Sequence, residues 1–279
     1  MPGPHTLATE LLAGTRELIA AHAREVPQRD DLCGAFCGAL ALRAAGVHGA
    51  DGSELDQDEV ALAAGSLISP PRAAGVLPRG EGGRRDYRLA LPLIEDPDLS
   101  GTTAAGVVEA IAQLARGALC AIPYGGPWSA DALDGLFDAA ASLTRPVTLI
   151  ANLATDHLWG AGASLEQLLA YLLEGEPQGP APDWHVGHFA CVVARVRGPR
   201  GHLFALADTY PALGHGGVHM QPRERLAAAI ERRGRPAGGV IVVTAQVDAQ
   251  AIRTAARALG LREGTWDNGT ATVKRGTPP

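Results

Sequence analysis

Lysine is almost missing from this sequence of 279 residues: Lys274 stands alone, and arginine carries nearly all of the positive charge. There is no basic run either, and the formal net charge is -6. Binding to phosphates requires clustered Lys and Arg that displace counterions, so nucleic acid is excluded as a partner. Aromatic residues are scarce, at 4% against 46% for all hydrophobic types, which leaves Ala, Leu, Val and Ile to build the core. No stretch is apolar for long enough to span a bilayer, so no membrane partner is expected. Early residues include His5, Glu10, Arg16 and Glu17, which break up the apolar centre that a signal peptide needs. A cytoplasmic location follows as the expectation, and in that reducing compartment the four cysteines stay free for chemistry. Internal repeats and low-complexity tracts are also lacking.

What is present is a chain long enough to bury a full core without disulfides or metals. The expected organisation is an N-terminal helix within 1–27, a main domain over 28–245, and a C-terminal helix and tail over 246–279. Leu7, Leu11, Leu12 and Ile19 recur at helical spacing over 6–25, and Pro27 ends that helix. Cys33 opens a second helix, CGAFCGALALRAAG, closed by Gly46. A short helix is expected over 54–64, followed by a Pro-, Gly- and Arg-rich stretch over 69–88 that reads as loop. Residues 65–100 are expected to be exposed and to flank the cleft. Helix and strand then alternate: a helix capped by Thr102 or Thr103, the strand CAIPY at 120–124, a helix over 129–143 and the strand PVTLIAN at 146–152. Ser164 and Gln167 have the capping-box spacing ahead of a further helix. HFACVVARV at 188–196 and HLFALADTY at 202–210 read as a hairpin joined by RGPRG. A helix from Gln221 to residue 232, a strand over 238–245, a helix from Asp248 and a candidate edge strand in TATVKRG complete the chain.

A cysteine in the first turn of a helix feels the positive end of the helix dipole, which favours its thiolate. Cys33 has that placement; Cys37, one turn further on, faces the core and reads as a small apolar residue. A cysteine nucleophile also needs a base to take its proton and a third group to orient the base. His188 begins one strand-like run and Asp208 ends the next, so a hairpin folded on 197–201 makes them neighbours. The run QRDDLCGAFCGALAL, from Gln28 to Leu42, resembles the active-site segment of the bacteriocin-processing (double-glycine leader) peptidases and their stand-alone relatives, within the papain-like cysteine peptidase superfamily. In that family a glutamine precedes a Cys-Gly pair that opens an alanine- and leucine-rich helix. Gly101 and Thr102 before a helix, then PVTLIAN, HFACVVARV and LADTYP, follow in the family's order, so the resemblance extends over residues 28–232. It implies an α+β, papain-like fold in which N-terminal helices carry the cysteine and pack on a mainly antiparallel sheet carrying the histidine and aspartate. It implies Cys33 as nucleophile, His188 as general base, Asp208 as the orienting group, and Gln28 as an oxyanion donor beside the Cys33 backbone N–H. Two features depart from the pattern. Gln28 stands five residues before Cys33, where the wider papain-like group has six, and Thr209 and Tyr210 separate Asp208 from Pro211.

Each of these residues has a plainer reading. Cys33 could be a structural thiol, Asp208 a hairpin-end turn residue and Gln28 an ordinary loop residue. His185 lies outside the apolar run that His188 begins and reads as solvated. His215 and His219 stand four apart, a metal-like spacing, but the glycines between them disfavour a helix and no third ligand is evident, so neither metal nor other cofactor is expected. Asn152, Asp156 and His157 follow a strand end, where cleft residues can lie. Trp128, Trp159 and Trp184 fall in loops, where packing is the plainer role. The resemblance implies a thiol hydrolase acting on a peptide or small amide substrate through an acyl-enzyme on Cys33. An acyltransferase on the same fold and a catalytically silent module that binds peptides or proteins both stay open, as does the oligomeric state.

Overall fold

The runs TLIANLA, HFACVVARV and GVIVVTA are apolar at nearly every position, so strands built from them must be covered on both faces. A computed structural model describes residues 7–71, 77–160, 162–175, 178–182, 184–232 and 236–272. Its elements run β1 Ala8–Leu11, α1 Thr15–Glu25, α2 Cys33–Ala44, α3 Gln57–Ala64, α4 Ala104–Ala115, β2 Leu119–Gly125, α5 Ala130–Ala141 and β3 Thr148–Ala154. They continue with α6 Leu165–Glu174, β4 Gly187–Arg197, β5 His202–Ala207, β6 Val218–Pro222, α7 Arg223–Glu231, β7 Gly239–Ala245, α8 Ala249–Ala258 and β8 Arg262–Glu263.

The result is an α+β molecule on one open sheet, with strand order β6-β5-β4-β3-β7-β2-β8 and β1 paired to the far end of β4. The strand pairings that build this sheet are antiparallel. Side chains alternate between the faces along each strand. Ile150, Phe189, Cys191, Ile241 and Val243 face a core shared with α1 to α4, whereas Leu149, Leu153, Val192, Phe204 and Val242 face a second core shared with α5, α7 and α8. Aliphatic residues predominate in both, as the shortage of aromatics requires. The helix α2 is buried almost all round, from Gly34 to Leu42 without a break, and Gly34 permits its close seat on the sheet. A Cβ at that position would lie 3.0 Å from Thr102 Cβ and 3.3 Å from Phe189 Cδ2. Among the described residues, no helix is long and apolar enough to cross a membrane.

Side-chain caps set the helix starts that the sequence signals. Thr103 accepts from Gly106 N at 2.9 Å, Ser129 from Ala132 N at 3.1 Å, and Ser164 with Gln167 forms a capping box. The N-terminus differs from expectation. Its helix starts at Thr15 rather than within 6–14, because Gly14 turns the chain at φ 87° and Ala8–Leu11 pair with Ala194–Arg197 as a strand. Leu11 is 60% exposed there, so the leucine spacing does not mark a core-facing stripe. A strand, β6, occupies Val218–Pro222, and the following helix therefore begins at Arg223 instead of Gln221. The last edge strand is Arg262–Glu263, while TATVKRG contains no strand as far as Thr272 and lies outside the described residues beyond it.

Described residues of the 69–88 stretch form neither helix nor strand. They are nonetheless tied down. Asp30 N donates to Arg84 O at 2.8 Å, Arg84 N donates back to Asp30 Oδ1 at 2.9 Å, and the Tyr87 hydroxyl donates to Asp30 O at 3.0 Å. The segment is thus a strap fastened to the loop that precedes α2.

Candidate active site

The loop from Gln28 to Leu32 delivers Cys33 to the start of α2, and each of its residues is held from a different direction. Gln28 N donates to Thr209 O at 2.9 Å. The Arg29 side chain is fully buried, with NH1 2.7 Å from Asp56 and 3.2 Å from Asp58. Such a cluster is stabilising only while complete, since removing the arginine would strand buried carboxylates. Asp31 adopts the left-handed conformation at φ 66°, uncommon for a residue other than glycine, and its Oδ2 accepts from both Ser69 N and Ser69 Oγ at 2.8 Å. The N-cap, Leu32, offers no side-chain acceptor and the first turn has no acidic residue, so nothing on the helix itself competes for its opening N–H groups.

His188 is the second residue of β4, opposite Leu153 of β3, and is 2% exposed. Its backbone oxygen accepts from Asn152 Nδ2 at 3.2 Å. The β4–β5 ladder ends with Cys191 opposite Ala207, so Asp208 lies just past it, and its side chain turns back to place Oδ1 2.8 Å from His188 Nε2. Cys33 lines the same cleft as His188 and adds to the support of the His188 imidazolium. Burial alone would pull the His188 imidazolium down, but the charge and hydrogen bond of Asp208, with those of Cys33, push it up to about 10. Asp208 shows the reciprocal behaviour: burial opposes its charge, yet His188 and His219 hold it below the usual carboxylate range. Residues 155 positions apart, Cys33 and His188, therefore share one cleft, and Asp208 holds the His188 ring.

Cys33 and His188 line a cleft of about 480 Å³, with Asp208 buried behind the His188 ring. Gln28 lines it as well, 4% exposed and with no hydrogen-bond partner at Oε1 among the described residues. The Trp184 ring meets the His188 ring at 4.8 Å between centroids, and Tyr210 stacks over it at 6.4 Å. The strap contributes Glu81 and Arg85 to the lining, and the C-terminal segment contributes Asn268 and Thr270. Trp128 and Trp159 pack in cores away from the cleft, so of the three loop tryptophans Trp184 is the one that reaches it. Asn152 lines the cleft from β3, whereas Asp156 and His157 do not. His185 is exposed and Cys37 is buried.

Sequence reasoning weighed His219 only as a metal-like partner of His215 and missed its place beside Asp208. Its ring is engaged not with His215, which is exposed, but with Asp208 Oδ2 at 3.1 Å and with the Gln221 amide at 2.9 Å. The available signal was the alternation His219, Gln221 in a short strand, hidden by the flanking glycines. A second buried histidine, His22, bonds through Nε2 to the Asp208 backbone oxygen, and burial lowers its pKa.

No curated protein matches the chain. A model of a family of unknown function, DUF6885, matches residues 12–267, which include every residue of the Cys33–His188–Asp208 arrangement. The chain belongs to that family.

Proposed function

We propose that this protein is a thiol hydrolase of papain-like type that cleaves a peptide or related amide through an acyl-enzyme on Cys33. The observation that carries the reading is a helix-opening, partly accessible cysteine that shares an open cleft with His188, whose ring Asp208 holds. Structural thiols have no need of a buried, charge-supported imidazole. With its imidazolium stable up to about 10, His188 is protonated at neutral pH and ready to act as an acid.

The Cys33 sulfur attacks the substrate carbonyl carbon, forming an S–C bond and moving the carbonyl π electrons onto oxygen. Gln28 and the Cys33 backbone N–H are the donors for that oxyanion. As the tetrahedral species collapses, the C–N bond breaks and His188 gives its proton to the departing amine. The imidazole, now neutral, takes a proton from water, whose oxygen adds to the thioester carbon. The S–C bond then breaks, the acid leaves, and the proton remains on His188 beside the regenerated sulfur. Asp208 keeps Nε2 engaged throughout, so the other ring nitrogen stays directed at sulfur and substrate.

Incubation with a pool of short peptide amides, followed by intact-mass analysis, tests the proposal. The expected outcome is product release together with a transient thioester adduct on the native chain, both lost in Cys33→Ala. If an added amine captures the acyl group in preference to water, the protein is an acyltransferase on the same cysteine. Tight binding of uncleaved peptides by both native and Cys33→Ala chains would overturn catalysis in favour of a binding module.

A further inference from the structure

The Asp208 carboxylate is gripped from the side opposite His188 by residues that take no part in the steps above. His219, on β6, places Nε2 3.1 Å from Asp208 Oδ2, while Oδ1 faces His188 Nε2 at 2.8 Å. The proton position on His219 is fixed by its neighbour. Gln221, two residues along the same face of β6, accepts from Trp159 N through Oε1 at 2.8 Å and donates through Nε2 to Trp159 O at 3.0 Å. That two-point clamp allows the amide one orientation, with Nε2 turned to His219 Nδ1 at 2.9 Å. Nδ1 must then accept, and Nε2 must carry the hydrogen that Asp208 receives. His188, Asp208, His219 and Gln221 are all at most 8% exposed, so water is poorly placed to stand in for a missing partner.

We propose that His219, its tautomer set by Gln221, is a positioning residue that orients the Asp208 carboxylate toward His188. This rests on the reading of Cys33 and His188 as a catalytic pair. Without His219, Oδ2 loses its side-chain donor in a buried site, and the carboxylate is held at Oδ1 alone, by Thr209 N at 2.6 Å and His188 Nε2 at 2.8 Å. His188 then loses the support that offsets its burial.

Two measurements that need no substrate test the inference on the full chain: the rate of Cys33 alkylation by iodoacetamide at neutral pH, and the titration of the His188 ring followed by NMR. His219→Gln retains an N–H near the Nε2 position and is expected to stay within about twofold of the native alkylation rate. His219→Leu keeps volume without a donor. It is expected to lose about tenfold, the equivalent of one buried hydrogen bond, with the His188 titration moved to lower pH. Gln221→Met leaves His219 in place but frees its tautomer, and should fall between the two. Should the leucine variant not fold, the glutamine and methionine variants decide. The inference is overturned by a folded leucine or methionine variant with native alkylation and native His188 titration, or by a glutamine variant as impaired as the leucine one. A native chain whose Cys33 reacts no faster than Cys120 would instead remove the hydrolase reading, with His219 still judged by the His188 titration.

Discussion

Four thiols share this chain, and their surroundings rank them. Cys37 and Cys191 are buried in the core between α2 and the sheet, and burial pushes the Cys37 thiol well up. Cys120 is partly accessible but is also pushed up by burial on β2. Cys33 is partly accessible, opens a helix, and shares its cleft with His188, whose imidazolium Asp208 favours. Iodoacetamide at neutral pH should therefore give a single early adduct on Cys33, at least about tenfold ahead of Cys120, with Cys37 and Cys191 labelled only as the protein opens. Peptide mapping of the first adduct checks this; uniform labelling of all four would contradict it.

At the scale of elements, the seat of α2 on β4 decides where Cys33 stands. The seat depends on Gly34, where added carbon would press on Thr102, on Val107 Cγ2 at 3.1 Å and on Phe189. Gly34→Val should cost about 1–3 kcal/mol in denaturant unfolding through overpacking. It should also slow Cys33 alkylation by displacing the first turn. Gly125→Ala, where a Cβ meets nothing, serves as the control and should be near neutral. Much of this framework was legible beforehand because its signals are local. Thr103, Ser129 and Ser164 cap the helices they precede, and apolar runs mark β3, β4 and β7. What escaped is set by distant partners. Residues 8–11 become a strand because β4 extends past β3 and offers an unpaired edge, which no periodicity in those residues could announce. Val218–Pro222 is short and follows two glycines with positive φ, so its strand character comes from pairing with Leu203–Ala207. The same cause hid the role of His219. Cys33, His188 and Asp208 were readable as types in order, but their meeting depends on α2 crossing β4.

For the molecule as a whole, two buried histidines of opposite behaviour should shape stability against pH. The folded pKa of His188 is raised from 6.5 to about 10, so its contribution is complete below pH 6.5 and is lost as pH rises toward about 10. The folded pKa of His22 lies below 6.5, so the unfolded chain takes up its proton first and stability falls as pH drops below about 6.5. The depressed Asp208 adds a further loss only in strong acid. Thermal melts between pH 5 and pH 10, the window those shifts define, should peak near pH 6.5. His188→Ala should flatten the alkaline side and His22→Phe the acid side. A native curve still rising at pH 9 would contradict the assigned charge on His188.

The bond from Gln28 N to Thr209 O joins the loop before α2 to the residue after Asp208. With the strap fastened to Asp30 and Thr209 N donating to Asp208 Oδ1 at 2.6 Å, the two banks of the cleft form one hydrogen-bonded body. The ordering entropy of the reacting groups is therefore met when the chain folds rather than when a ligand arrives. On the proposed hydrolase reading, a substrate would enter a finished mould, its binding energy available for the barrier instead of for assembling the site.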